Sequence, residues 1–488
     1  MQSTKITRPT ASIASRRRAF KLVSLVLALG LSACANLSGI DPGASLRDAP
    51  SLGLAPSETT VAPVSGQWWR DYGDEQLNRL VDQALAHNPS LKLAQTRLAR
   101  AQAVLEVADA ATLPQLNGTL DVTRQRYTRN GAVPAPLAGT IRESGTMQLS
   151  ASWELDFFGK HRAALDAALG TVNAAQADAQ AARVLLASNV ARSYFQLARL
   201  NDQLTVARRT QAQREETLRL VQDRVNAGLD TNLELRQSEG SLPEARQQIE
   251  ALQEQAALTQ NAIAALVGQP GGALALVPPA QSALRKIATP ATLQADLLGQ
   301  RADIAAARWR VEAAAHDVRN AKTQFYPNIN LVAFAGFSSI GLGRLLDSGS
   351  QQWGVGPALR LPIFDAGRLR ANLRGKTADL DAAVESYNAA VIDAVREVAD
   401  QVASTQFIAR QQAEQRAAAA AAEAAYEIAL QRYKAGLGNY LNVLSAETSV
   451  LNQRRLAVDL AARALDTQVT LIRALGGGYQ ADSVTAQK

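Results

Sequence analysis

One cysteine in 488 residues excludes a disulfide framework and any cysteine-based metal site, and it leaves the position of that thiol, Cys34, to be explained. Histidine is scarce too: His87, His161 and His316 are scattered, and neither HExxH nor GxSxG occurs. No nucleophile, metal set or acid pair is assembled, so the chain reads as a non-enzyme without a cofactor. Aromatic residues make up 5%, and 17 prolines and 31 glycines are few for this length. With alanine abundant, that balance favours long helices over a β-sandwich. Long hydrophobic runs are missing as well: the one apolar stretch, Leu22 to Leu31, is too short to cross a bilayer as a lasting helix. The net charge of +7 is also local, because residues 1–33 hold Lys5, Arg8, Arg16, Arg17, Arg18 and Lys21 and no acid, and 7 − 6 leaves +1. The other cations alternate with Asp and Glu at helical spacing, which leaves no basic groove for nucleic acid.

What is present begins with a basic "SRRRAFK", the apolar run and small residues, the three parts of a secretory signal over residues 1–33. "LSAC" at 31–34 resembles a bacterial lipobox, which implies cleavage before Cys34, acylation of its thiol and new amino group, and anchoring by several acyl chains. Ala35 and Asn36 follow, without the Asp that resembles an inner-membrane retention signal, so this resemblance points to the outer membrane. Residues 34–66 are rich in Ser, Pro, Gly and Ala without periodicity and read as a flexible tether. Folded structure is expected from 67, where Leu77, Leu80, Val81, Ala84 and Leu85 share one helical face.

The chain repeats itself. Sliding it by 208 residues superposes Gly159 on Gly367, Arg162 on Arg370, Val190 on Val398, Arg224 on Arg432, Leu233 on Leu441 and Gly268 on Gly476. The "AGL" at 227–229 falls on the "AGL" at 435–437, and at an offset of 213 Pro114 falls on Pro327. Each repeat reads as a helix, two strands, a very long helix, a sharp turn and another long helix. Lys160 to Asn226 contains no proline and one glycine; as α-helix such a stretch is about 100 Å long. Val384, Val391, Val395, Val398 and Val402 mark a coiled-coil-like seam in its counterpart, Arg368 to Lys434.

Four alternating segments are expected as strands: 116–127, 147–157, 328–337 and 353–364. In the second, Met147, Leu149, Ala151, Trp153, Leu155 and Phe157 share one face, with Gln148, Ser150, Ser152, Glu154 and Asp156 on the other. Such lengths suit tilted membrane strands, and four strands with open edges need several chains to close a barrel.

The lipobox, "WWRDYGDEQLNRLVDQALAHNPSL", "ATLQADLLGQRADIAAARWRVEAA", Phe158-Gly159, Asp365-Ala366-Gly367 and the paired "AGL" turns together resemble the TolC family of outer-membrane efflux proteins, and within it the NodT-type lipoprotein branch. The resemblance implies a mainly α chain with a small β part: a long-helix α-barrel plus four membrane-spanning strands per chain, assembled as a homotrimer with a twelve-stranded β-barrel. It implies an exit duct carrying drugs or other small toxic compounds from an inner-membrane pump, of resistance-nodulation-division type, through a periplasmic adaptor to the exterior. A duct for type I protein secretion and a non-channel coiled-coil envelope scaffold are the alternatives. The organisation expected is a signal peptide at 1–33, the tether at 34–66, a first repeat at 67–268 with its hairpin tip near 228, a linker at 269–300, a second repeat at 301–478 with its tip near 436, and a tail at 479–488.

By the same resemblance the tips form the periplasmic mouth and meet the adaptor, through Arg224, Gly228, Leu229, Glu234, Arg432, Tyr433, Gly436, Leu437, Gly438 and Asn442. Gly228 and Gly436 suit tight reversals. Tyr433 and Glu234 match positions that line or latch the mouth, whereas Gly438, Asn442 and Ser445 stand where relatives carry an arginine and aspartates, so a different latch is expected. Pro243, whose repeat mate is Leu451, is expected to kink its helix. The linker, with Pro270, Pro278, Pro279 and Pro290, is expected to cross outside the helical part, and the loops near Asn130-Gly131 and 341–350 to face the cell surface.

Overall fold

The computed structural model describes residues 37–47, 64–269, 276–285 and 300–479. Cys34, the signal peptide and most of the expected tether and linker lie outside these residues. The elements are α1 (Glu75–His87), α2 (Pro89–Ala110), β1 (Gln115–Arg126), β2 (Ile141–Leu155), α3 (Lys160–Asn226), α4 (Asn232–Leu266), α5 (Ala302–Thr323), β3 (Asn328–Ile340), β4 (Gln351–Arg360), α6 (Arg368–Lys434) and α7 (Tyr440–Ala474).

The repeat is visible in their lengths. Helices α3 and α6 each have 67 residues, α4 and α7 each have 35, and α2 and α5 each have 22. Helix-end chemistry repeats with them. Asn88 donates through Nδ2 to the Leu266 carbonyl at the end of α4, 2.8 Å away. Arg301, its mate, donates through Nη1 to the Ala474 carbonyl at the end of α7, 3.2 Å away. Both satisfy a carbonyl that the helix itself leaves open.

Contacts group the chain into two compact units that cut across the repeats. One comprises residues 1–45, 101–172 and 309–385; the other comprises 46–100, 173–308 and 386–488. In the first, a single antiparallel sheet has the strand order β1-β2-β3-β4. Register places Leu120 opposite Met147, Met147 opposite Phe337 and Ala333 opposite Val355. Because side chains alternate along a strand, Leu116, Leu120, Val122, Met147, Leu149, Trp153, Leu331, Trp353, Val355 and Leu359 share one face, and all are exposed. Thr119, Asp121, Gln148, Ser150, Asn330 and Gln352 lie on the other.

Strand limits differ from the sequence reading. β2 begins at Ile141, because residues 141–146 find partners in β1. β4 ends at Arg360, opposite Asn328, the first residue of β3, so residues 361–364 have no strand to pair with.

Part of the expected tether is fixed rather than free. Ile40 is 5% exposed in a cluster with Val318, Phe325, Leu369 and Leu373. The Gly43 and Ala44 amides both donate to Asp381 Oδ1 at 3.0 Å. An apolar slot between α5 and α6 and one carboxylate acceptor are enough to hold this stretch, whose composition alone gave no sign of a partner.

The second unit has its core around Trp68, Trp69, Tyr72, Leu77, Val81, Val190, Tyr194, Phe195, Ile263, Val469 and Ile472. Asp74 caps α1 by accepting from the amides of Gln76 and Leu77 at 2.8 and 2.9 Å, and Tyr194 donates its hydroxyl to the same carboxylate at 2.9 Å. The described stretch of the linker packs on this core: Val277 exchanges two hydrogen bonds with the Gln76 side chain and the Arg285 amide donates to Tyr72 O. Pro243 stands inside a continuous α4.

Candidate functional site

The hairpin turns Arg224–Leu235 and Arg432–Ser445 lie in the second unit and close in the same way. The Leu229 amide donates to Arg224 O at 2.9 Å and the Gly228 amide to Val225 O at 3.0 Å. Leu437 donates to Arg432 O at 2.8 Å and Gly436 to Tyr433 O at 3.0 Å. These are paired Schellman closures, and Gly228 (φ 70°) and Gly436 (φ 73°) supply the left-handed residue they require. Each following helix starts on a side-chain cap. Thr231 accepts from Leu233 N while Glu234 reaches back to Thr231 N at 3.0 Å, a capping box. Asn439 accepts from Asn442 N at 3.1 Å.

The side chains then diverge. Arg224 donates through Nε and Nη2 to Asp230 at 2.9 and 3.2 Å and through Nη1 to the Tyr433 carbonyl at 3.0 Å. The guanidinium also sits 4.5 Å from the centroid of the Tyr433 ring. Tyr433, 0% exposed, donates its hydroxyl to Asp230 Oδ2, and its ring lies 5.9 Å from that of Tyr440. Three groups from the first turn and the end of α6 therefore form one closed network. Burial pushes the Asp230 carboxyl up, but hydrogen bonds from Arg224 and Tyr433 and the Arg224 charge outweigh it and hold it below the ordinary aspartate range. Burial, and then Asp230, push the Tyr433 hydroxyl up, so it stays a donor.

A second buried pair joins α3, α4 and α7. Arg214 on α3 donates through Nη1 to Ser241 O on α4 at 2.7 Å and lies 3.4 Å from Glu447 Oε1 on α7. Burial raises the Glu447 carboxyl against the pull of Arg214.

Of the residues expected from the sequence, the structure brings Arg224 and Tyr433 together. Glu234 serves its own helix start. Arg432 donates to Leu437 O at 3.3 Å, Gly438 has Arg432 as its neighbour, and Asn442 enters the cap through its backbone. Leu229 and Leu437, repeat mates, are 65% and 69% exposed, and Leu233 and Leu441 are exposed beside them. Sequence reasoning missed Asp230, the centre of the network. Its signal was available, because the repeat sets this acid opposite Gly438, directly after the shared "AGL". The arrangement carries out no bond chemistry; it is a clamp that ties the first turn to α6.

Comparison with known proteins gives the family and the fold. A family model described as outer membrane efflux protein matches residues 80–269 and 293–477. The chain is 33% identical to the putative multidrug resistance outer membrane protein MdtQ of Escherichia coli K12, over 87% of this chain and 90% of that protein. It is 36% identical to the fusaric acid resistance protein FusA of Burkholderia cepacia, over 72% of this chain and 68% of that one. Among solved structures it is similar to the outer membrane protein VceC of Vibrio cholerae, with a TM-score of 0.81 and 36% identity over 86% of this chain and all of that one.

Proposed function

The chain belongs to the outer membrane efflux protein family and forms an outer-membrane exit duct for efflux, and we propose that it does so as a homotrimer serving an inner-membrane pump and a periplasmic adaptor. The observation that carries this reading is the sheet: four strands with one face apolar except for Arg124, Arg126 and Glu143 towards one end, a more polar opposite face and two open edges. A bilayer does not accept open edges, so a spanning sheet of this kind is closed by further copies. Three copies give a twelve-stranded barrel with lipid outside and a wet lumen. A coiled-coil scaffold has no use for such strands.

Substrates are small toxic compounds, in line with the multidrug and fusaric acid resistance for which the relatives are named. The pump is of resistance-nodulation-division type. Cys34 carries the acyl anchor. The two hairpin turns form the periplasmic mouth, and the exposed Leu229, Leu233, Leu437 and Leu441 give the adaptor an apolar edge to grip. Opening breaks the Arg224–Asp230–Tyr433 clamp, so pump and adaptor act by binding the unclamped arrangement more tightly.

The test is light scattering of the detergent-solubilised protein together with conductance in planar bilayers. A particle of three chains that conducts is the expected result; a monomer that leaves the bilayer sealed overturns the reading. Mass spectrometry of the N-terminal peptide tests the anchor, which predicts a lipid-modified Cys34 as the first residue.

A further inference from the structure

The apolar face of the sheet changes character at one end. All four strands join the helices at the other: β1 follows α2, β2 leads into α3, β3 follows α5 and β4 leads into α6. The end away from the helices carries the hairpin loops 127–140 and 341–350 and, on the exit-duct reading above, faces the exterior.

On β2 the positions of this face run from Leu155 at the helical end through Trp153, Ala151, Leu149 and Met147 to Gly145, and only then reach Glu143. From Leu155 to Gly145 the strand covers about 33 Å, or about 25 Å across a bilayer at a tilt of about 40°. That is the height of the apolar band of a membrane barrel. On the neighbouring strand Val122 stands opposite Gly145, Arg124 opposite Glu143 and Arg126 opposite Ile141. Both arginines are therefore just beyond the hydrocarbon, at the depth of the exterior leaflet's headgroups.

We propose that Arg124 and Arg126, with the leucines of the 341–350 loop, form a binding site for the phosphate of an exterior-leaflet lipid, whose acyl chains run down the apolar face below. The inference rests on the exit-duct reading and adds to it a lipid ligand at a defined place.

The donors suit phosphate. A guanidinium presents a planar fork that matches phosphate oxygens, and two arginines two residues apart on one face are about 7 Å apart along the strand. Long side chains can close that gap onto one headgroup. Arg124 Nη1 lies 3.7 Å from Glu143 Oε1, and the arginine side chain is 74% exposed; so long an ion pair leaves its donors to another acceptor. Arg126 has an isoleucine opposite it and no acid.

The loop adds an apolar wall. A methyl group on Gly145 would meet Leu342 and Leu345 at 3.0 Å each, so both leucines lie over this face at the level of Val122. The Gly341 amide holds the loop there by donating to Glu143 O at 2.6 Å. Ile141, Leu342 and Leu346 stay exposed. Cations beside apolar side chains match an amphiphile with phosphate at its polar end; a soluble phosphate has no use for the leucines.

The repeat supplies a contrast. The mates of Arg124 and Arg126 in β3 are Phe337 and Ser339, and the mate of Glu143 is Gln351. Charge is therefore not what this sheet needs to end an outward face, and the site occurs once per chain. Cations on an edge strand also deter unwanted pairing, but here they are confined to headgroup depth, with Leu116, Gly118, Leu120 and Val122 on the same face below.

Native mass spectrometry of the detergent-solubilised protein tests this, with a diphosphorylated, acylated glucosamine disaccharide and the same lipid stripped of its phosphates as probes. The expected result is one phosphorylated lipid per chain. Arg124→Gln and Arg126→Gln are each expected to weaken its binding about fivefold and together about 25-fold, and removal of the phosphates to cost the intact protein about as much as the double substitution. Arg142→Gln removes the same charge on the opposite face, where Arg142 pairs with Gln125, and is expected to change nothing. Inorganic phosphate at millimolar concentration is expected not to displace the lipid.

Equal binding of the two lipid forms, or undiminished binding by the double variant, overturns the site. Displacement by inorganic phosphate makes it a free-anion site and overturns it as a lipid seat. Light scattering and bilayer conductance separate the two readings: with a conducting trimer any of these results removes the lipid site alone. If the protein neither assembles nor conducts, the duct and the placement of the arginines at headgroup depth fall together.

Discussion

The first hairpin turn, Arg224–Leu235, and the second, Arg432–Ser445, follow one backbone course residue for residue, with the same two Schellman bonds, a glycine in the left-handed region and a side-chain cap on the next helix. Their side chains differ, and two of the differing pairs bear on how each turn is fastened, Asp230 with Gly438 and Val225 with Tyr433. Asp230 in the first receives Arg224 and the Tyr433 hydroxyl, and its mate in the second is Gly438, which receives nothing from them. Repeat symmetry therefore sets where the chain reverses, while one carboxylate and the tyrosine that reaches it fasten the first reversal to α6. One turn is bolted and the other is merely closed.

That asymmetry can be broken in graded ways. Tyr433→Ala removes a buried ring and the hydroxyl that binds Asp230, and is expected to lower the local opening free energy of the tips by about 3–5 kcal/mol. Hydrogen exchange of α6 and α7 near the turns measures it, and Val225→Ala, the mate, is the smaller control. Asp230→Asn keeps the shape and removes the charge that pairs Arg224; a loss of about 1–3 kcal/mol is expected, with higher conductance of the resting channel, whereas Gly438→Asp in the second turn does not restore it. Gly228→Ala and Gly436→Ala sharpen the comparison from the other side. Neither added methyl meets a neighbouring atom, so both pay only the left-handed backbone cost of about 1–2 kcal/mol, and they are expected to do so equally.

Acid gives the smallest and most discriminating effect. The Asp230 carboxyl is held below its ordinary value of 3.8, so the clamp's contribution is present above that value and is lost as pH falls through the lowered one. Glu447 is raised above its ordinary 4.5, so the charged form is disfavoured and packing near Arg214 improves as pH falls through the raised value. Hydrogen exchange on a descending pH series is expected to show protection rising around Glu447 before it falls around Asp230; simultaneous loss at both contradicts the clamp.

Much of this was legible beforehand. The long helices followed from alanine-rich heptads uninterrupted by proline, the turns from the paired "AGL", and the strands from alternation. Tyr433 and Arg224 were singled out, but Asp230 was not, because an aspartate in a turn is ordinarily read as a local cap. Nor was the seat of residues 37–47, because composition reports what a segment lacks and says nothing of a groove formed by α5 and α6. Strand ends were the least readable, since β2 is extended and β4 cut short by the partners available and not by their own residues.

The sequence by itself determined the repeat, the matching helix lengths, the sites of reversal and the alternation that makes a two-faced sheet, because each depends on residues close together in the chain. Only the tertiary structure decided that both repeats contribute strands to one sheet, that Tyr433 reaches an aspartate 203 positions away, and that Ile40 has a slot to fill. Those outcomes depend on which surfaces meet, and contact between distant segments is set by packing and hydrogen-bond geometry that local pattern does not encode.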